Sequence, residues 1–413
     1  MKKMKWISVA LAVTIGMSAT MFSGCGEDDS PPAALTLVSL TAGAIDLNGA
    51  SSATGIPVSS TIVAEFSTEV NDATIEAITM MDYESADVAL NITVDGKTVT
   101  IDPTSNFAAG AQYILNIENT LASVGGTKVT AFERSFTTEG QFVPNGVIAH
   151  FSFEDNVNDV VGSFDPTTAG TDVTFVSSRK TAAGKAASFN GTTTIVEVPN
   201  GNQLMSHGDF AVSFWVKVDG SKESHFVFGL GAWYGFQFEI MGGPWTALDK
   251  GVKLACRYEL ASSTDAEDTW WNGNPNGWQG SEFAKDVSGS GGIASSFKDV
   301  WAHVVCGYDK ETKVGTMYVN GEKVRQWNFT KWPDGDAKKA AVGVKFAGNL
   351  TDGGNNLALG FIQASGNKIV GDGWADPSNP DNNHFKGQLD DLRFYSTNLS
   401  AATVSLMYNS EKP

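Results

Sequence analysis

Two tight turns constrain this chain more than any other feature. Asp95-Gly96 joins LNITV (90–94) to KTVTI (97–101), and Asn320-Gly321 joins GTMYV (315–319) to EKV (322–324). Glycine supplies the positive φ that a two-residue hairpin demands, and the alternation on either side gives each strand one face to bury. The same short alternation returns in IVAEF (62–66), YILNI (113–117), FERSF (132–136), FAVSFWVK (210–217) and WAHVV (301–305). Many short strands with frequent turns predict an all-β chain. A short helix is expected at the end, over 400–408, with Ser400 as N-cap and Ala401, Val404, Leu406 and Met407 as its apolar face.

The chain opens MKKMKWISVALAVTIGMSATMFSGC. Lys2, Lys3 and Lys5 precede an apolar run that is short for a membrane span and interrupted by Ser, Thr and Gly, the pattern of a signal peptide. Phe22-Ser23-Gly24-Cys25 resembles a bacterial lipobox, which implies cleavage after residue 24 and a lipid on Cys25. The acidic run Glu27-Asp28-Asp29 that follows resembles the surface-export signal of Bacteroidetes lipoproteins. It implies an outer-membrane protein that is lipid-anchored and exposed at the cell surface. Residues 1–24 are thus expected to be removed, and 25–34, polar and proline-containing, to act as a tether. Removal takes away three lysines and no acids, moving the formal charge from −18 to −21. A chain this acidic, without a basic patch, repels nucleic acid. Cys256 and Cys306 remain, both in strand-like stretches. They are read as free thiols, with a disulfide as the alternative, because the chain is long enough to build a core without a staple.

Residues 35–138 read as one sandwich. GIPVSSTIVAEFSTEVN, GKTVTIDPTSNFAAGAQYILNI and FERSFTTEG resemble the bacterial Ig-like domains, which implies a spacer or stacking module. Residues 139–145 (EGQFVPN) read as a linker. Over 146–413, FSFEDNVNDVVG, GKAASFNG, DFAVSFWVKV, VWAHVVCGYDKETKVGTMYVNGEKV and FKGQLDDLRFYSTNLSAATVSLMY resemble the laminin-G-like, concanavalin-A-like lectin/glucanase jelly rolls. The expected fold is therefore an Ig-like β-sandwich followed by a jelly roll with a short C-terminal helix. The resemblance does not choose among lectin, adhesion module and glycosidase. Glucanases on this fold carry Glu, Asp and Glu on one strand face, as E-x-D-x-x-E. That pattern is absent, as are nucleophile–base and P-loop motifs, so the chain is read as non-catalytic.

The departure from the family pattern is 261–297, which contains EDTWWNGNPNGWQG (267–280). With Asn, Gly and Pro among three tryptophans and no clear period, it reads as a loop. A pyranose presents an apolar C–H face and an edge of hydroxyls. A flat indole covers the one, and Asn, Gln, Glu or Arg satisfies the other. Candidate carbohydrate ligands are therefore Trp270, Trp271, Trp278 and Asn272 on this stretch, with Trp233, Trp332 and Trp374 on other loops. Trp215 and Trp301 fall on core strands. Alternation in FQFEI (236–240) and KLACRYE (253–259) places Gln237 and Glu239, and Lys253, Arg257 and Glu259, on polar faces. Together they would form a floor that the loop tryptophans wall. Separately, the first and last strands of this fold usually pair, which would bring Glu154 or Asp155 near Asp390 or Asp391. Such carboxylates call for a cation: calcium, or Arg393 instead. The sequence thus reads as a surface lipoprotein that binds a poly- or oligosaccharide. A structural or adhesive protein with a protein partner is the alternative, and a glycosidase with an unfamiliar site comes third.

Overall fold

The computed structural model describes residues 34–49, 51–273, 280–348, 350, 354–367 and 369–413. Cys25, the signal segment, all but the last residue of the tether and Trp278 lie outside these residues. The first domain packs a five-stranded sheet against a four-stranded one. The Asp95-Gly96 hairpin forms as expected, with Val94 opposite Val99 and Gly96 at φ 60°. Inward residues of both sheets, among them Ile62, Ala64, Val99, Ile101, Leu115 and Phe136, make its core.

The second domain is a sandwich of a nine-stranded and a seven-stranded sheet. On strand Phe210–Val218 of the larger sheet, Phe210, Val212, Phe214, Val216 and Val218 point into the sandwich. On the smaller sheet, Phe236, Phe238, Ile240, Leu254, Cys256 and Tyr258 meet them, as their alternation required. Strand Val147–Phe151 pairs antiparallel with Lys386–Tyr395, so the first and last strands of the domain are neighbours. Cys256 and Cys306 are free and buried in this core, and burial raises both thiols above their ordinary range. No helix among the described residues is long and apolar enough to cross a membrane.

The insertion departs from expectation. Thr264–Trp271 is not loop but a strand, paired with Gly251–Glu259 from Val252 to Glu259. Its inward positions are Glu267, Thr269 and Trp271, two of them polar, so the apolar alternation that marks a half-buried strand never appears in the sequence. Burial raises the Glu267 carboxyl, and Lys338, 2.5 Å away, neutralises it.

The outward side of the nine-stranded sheet is also covered. Ala211, Val305 and Tyr395 join Val404 and Met407 of the C-terminal helix Ala401–Glu411 and the Ig-like core in one apolar cluster. Ser400 caps the helix, accepting from Thr403 N at 3.0 Å. Glu84 of the Ig-like domain accepts from the Ser400 hydroxyl at 2.7 Å, and Gln141 of the linker donates to Glu411 at 2.9 Å. Trp215 is fully buried, but beneath this helix rather than inside the sandwich. It stacks on Tyr408 at 5.9 Å, with Arg179 4.6 Å from its ring.

Candidate functional site

The outward face of the seven-stranded sheet carries the candidate site, partly covered where Phe226 packs against Phe361, Ile362, Val370 and Ala375. Strand register lays its side chains in rows running across the strands. Phe226 lies opposite Glu239, Glu239 opposite Lys253, and Lys253 opposite Trp270. The next row is Gly229, Gln237, Ala255 and Asp268, and beyond it Arg257 faces Ala266. The sequence places all these polar residues on one face because each alternates with inward-facing residues of its own strand: Gln237 and Glu239 at odd positions, Lys253 and Arg257 likewise, and Asp268 at an even one. Gln237 Nε2 donates to Glu239 Oε1 at 2.8 Å, and Lys253 Nζ bridges Glu239 at 2.8 Å and Asp268 at 2.9 Å. Glu239 and Gln237 are 2% and 3% exposed, and Gln237 Oε1 has no partner among the described residues. An unpaired buried acceptor is costly, so this atom is suited to a donor from a buried water.

Beside this row stands an aromatic platform. Trp374 is 42% exposed. Its ring lies 5.8 Å from Trp233 at an interplanar angle of 25°, and Trp233 in turn lies 6.2 Å from Tyr234 at 23°. Trp374 also contacts Phe226 at 6.1 Å, which sets it over the same face as Glu239. Two short 3₁₀ turns, Ala232–Tyr234 and Gly373–Ala375, deliver the rings. The second turn is pinned: Asn382 Nδ2 donates to Gly373 O and Asp376 O, both at 2.8 Å, and Gln363 Nε2 donates to Ala375 O at 2.7 Å. Arg257 Nε donates to Trp233 O at 3.0 Å, and its guanidinium lies 5.4 Å from the Tyr234 ring centroid. The platform is therefore held in place before any ligand arrives.

The structure thus brings together Gln237, Glu239, Arg257, Trp233, Trp374 and Trp270. It does not bring Trp271 or Trp332 to them. Trp271 is 2% exposed in the sandwich core, donating to Lys285 O at 2.9 Å, and Trp332 is buried against Trp327 at 6.4 Å. Adjacent residues of a strand point to opposite faces, so Trp270 and Trp271 cannot both be walls. Trp270 is half-buried, its ring lying over Gly251, where a Cβ would come within 2.5 Å of its Cζ2. Asn272 lines a neighbouring cavity of about 350 Å³ with Trp245, Leu248 and Ile293. Sequence reasoning placed Lys253 on the polar floor but missed that it fixes Glu239, and missed Asp268 and Tyr234 altogether. The alternation in KLACRYE identifies Lys253, and the WY pair beside Gly235 is the signal for Tyr234. A wider hollow of about 440 Å³ on the nine-stranded sheet holds Lys217, Asp219, Asp299 and Lys386, but its one aromatic residue, Phe189, is buried.

The carboxylates considered for a cation separate. Asp155 pairs with Lys185 at 2.5 Å, and Glu154 accepts from Lys185 N at 3.1 Å. Asp390 pairs with Arg179 at 2.5 Å. Asp391 pairs with Arg179 at 2.7 Å, with Arg393 at 2.9 Å and with His150 at 2.8 Å. Glu411 closes this buried cluster on Arg393 at 2.7 Å and Trp215 Nε1 at 2.8 Å. Burial raises the Asp390 carboxyl, and the charge of Asp391 adds to it. Burial also opposes ionisation of Asp391, but Arg393, His150 and Arg179 outweigh it and hold that carboxyl below its ordinary range. Among the described residues no three His, Cys, Asp or Glu gather as metal ligands. At Asp390 and Asp391 the positive charge comes from Arg179 and from Arg393, the residue expected as the alternative to calcium.

Comparison with known proteins agrees with the fold. Residues 42–138 match the bacterial Ig-like domain, and residues 190–363 match the concanavalin A-like lectin/glucanases superfamily. Among solved structures, domain 4 of AbnA, a GH43 extracellular arabinanase from Geobacillus stearothermophilus in complex with arabinotriose, is 19% identical. The match covers 64% of this chain and 98% of that one, with a TM-score of 0.38. The binding domain of Paraclostridial Mosquitocidal Protein 1 is 14% identical over 64% of this chain and 52% of that one, with a TM-score of 0.42. The receptor-binding domain of botulinum neurotoxin mosaic serotype C/D is 14% identical over 64% and 51%, with a TM-score of 0.40. The match thus spans about half the length of each toxin chain. A search of the curated proteins found no match. The chain carries an Ig-like domain and a concanavalin A-like jelly roll.

Proposed function

We propose that the chain is a cell-surface lipoprotein whose jelly roll binds carbohydrate without cleaving it, supported on the Ig-like domain. The observation that carries this is Trp374, 42% exposed and stacked on Trp233 beside a row of fixed polar side chains. An exposed indole supported from behind covers the apolar face of a sugar at little cost in ordering, and the Asp268 carboxylate, 46% exposed and fixed by Lys253, offers an acceptor to a hydroxyl. The lipobox-like Phe22-Ser23-Gly24-Cys25 supports the anchor, and the acidic run after it supports export to the outer face of the outer membrane.

Lys253 favours binding over hydrolysis. Glu239 and Asp268 both contact its ammonium, so the two oxygens lie close enough to suggest a retaining pair. A retaining pair needs one carboxyl placed to protonate the leaving group and the other placed to attack, whereas here a single ammonium engages both.

Affinity electrophoresis through gels containing soluble polysaccharides tests the reading. At least one polymer should retard the chain, and Trp374→Ala should abolish most of that retardation. Equal retardation of the variant would place binding elsewhere, and release of reducing sugar would overturn the non-catalytic part. Cys25→Ser should leave the membrane fraction or stay unprocessed, and a variant processed and sedimenting like wild type would remove the anchor.

A further inference from the structure

The geometry points to a ligand that is an internal run of an extended polysaccharide chain, lying across the strands, rather than a single terminal sugar. This rests on the carbohydrate-binding reading above and adds the ligand's length and direction. The row Phe226, Glu239, Lys253, Trp270 crosses four strands, and Trp374 packs on its first member. Three strand spacings separate the two ends, roughly 14 Å. Each end therefore carries an indole: Trp374 over Phe226, and Trp270 beside Lys253. Between them the side chains are polar and fixed, since Lys253 holds Glu239 at 2.8 Å and Asp268 at 2.9 Å.

A site for a chain end concentrates its contacts around one ring. Here the two aromatic stations are too far apart for one pyranose to touch both, and Lys253 and the Asp268 carboxylate between them suit the hydroxyl edge of intervening sugars. A flexible ligand would lose most of the benefit in ordering, so an extended chain with several successive rings fits best. The second station contributes only when the ligand is long enough to reach it, as two linked sites do.

The test is calorimetric titration of the detergent-solubilised full chain with cello-, laminari-, isomalto- and arabino-oligosaccharides of one to six units. In the series that binds, affinity should rise at least tenfold from disaccharide to tetrasaccharide. Trp374→Ala and Trp270→Ala should each lower tetrasaccharide affinity about tenfold, the lower end of what one ring stacked on an aromatic side chain contributes. Trp270→Phe should keep most of it, which separates loss of the ring from loss of the fold. The inference is overturned if the disaccharide binds as tightly as the tetrasaccharide, or if Trp270→Ala has no effect on the longer ligand. In either case carbohydrate binding itself would stand. Binding of none of the four series, by the oligosaccharides or by their parent polymers, would overturn both.

Discussion

Replacing Arg393 by Met should destabilise the jelly roll far more than replacing Glu411 by Gln, although the two side chains are partners in one ion pair. The buried cluster sets three carboxylates, Asp390, Asp391 and Glu411, against two guanidinium groups, Arg179 and Arg393. Arg393, 1% exposed, serves Glu411 at 2.7 Å and Asp391 at 2.9 Å. Without it three buried acids share Arg179 and the edge of His150, and a broken buried pair of this kind costs about 3–5 kcal/mol. Without the Glu411 charge, each arginine still has an aspartate, and the amide still accepts a hydrogen bond. That loss should be roughly 1–2 kcal/mol. Urea unfolding followed by tryptophan fluorescence measures both. The acid dependence gives a second reading. Burial opposes ionisation of Glu411, yet the Arg393 charge outweighs it and holds the carboxyl below its ordinary 4.5. Its stabilisation is therefore present above pH 4.5 and lost as pH falls through the lower folded value, and Arg393→Met should flatten that loss. An equal or larger cost for Glu411→Gln would refute the reasoning from excess acid.

His303 is buried and has no partner for either ring nitrogen among the described residues, and burial lowers its pKa from 6.5 to about 4. The unfolded chain takes up a proton near pH 6.5 that the folded chain refuses until about pH 4, so stability should fall through that window by roughly 3 kcal/mol. His303→Phe should reduce this dependence by about one proton's share in a series of urea midpoints, leaving the shares of His225 and His384, which burial also lowers, and an unchanged slope would exonerate His303. Trp271→Ala should cost about 3–5 kcal/mol while Trp374→Ala stays within about 1 kcal/mol, measured by thermal unfolding of the two variants side by side. A chelator should leave the melting temperature unchanged, because Arg179 and Arg393 already neutralise Asp390 and Asp391; a drop on adding EDTA would reopen the calcium question.

Much of the fold was legible because its signals are local. Asn320 and Gly321 both sit at positive φ between Val319 and Glu322, as the dipeptide required. The polar floor was legible for the same reason: Gln237, Glu239, Lys253 and Arg257 alternate with core residues. The strand Thr264–Trp271 was not, because its buried positions include Glu267, whose partner Lys338 is 71 residues away. Nor was the platform, since nothing near Trp374 announces that Trp233 lies behind it. The Asp390–Asp391 pair showed the need for positive charge but not its source, Arg179, more than two hundred residues earlier.

The helix Ala401–Glu411 is gripped at one end by Glu84 and at the other by Gln141, and it covers the sheet opposite the candidate site. The aromatic face consequently looks away from the Ig-like domain, at an orientation the two domains cannot easily change. Copies held by their N-termini on one surface would all display that face in the same sense. A long polymer touching one copy is then presented to its neighbours at high effective concentration, and its residence can exceed that of any single contact by about 10²–10⁴-fold. A site of modest strength is enough for capture under such conditions, and each individual contact remains weak enough to let the polymer move on.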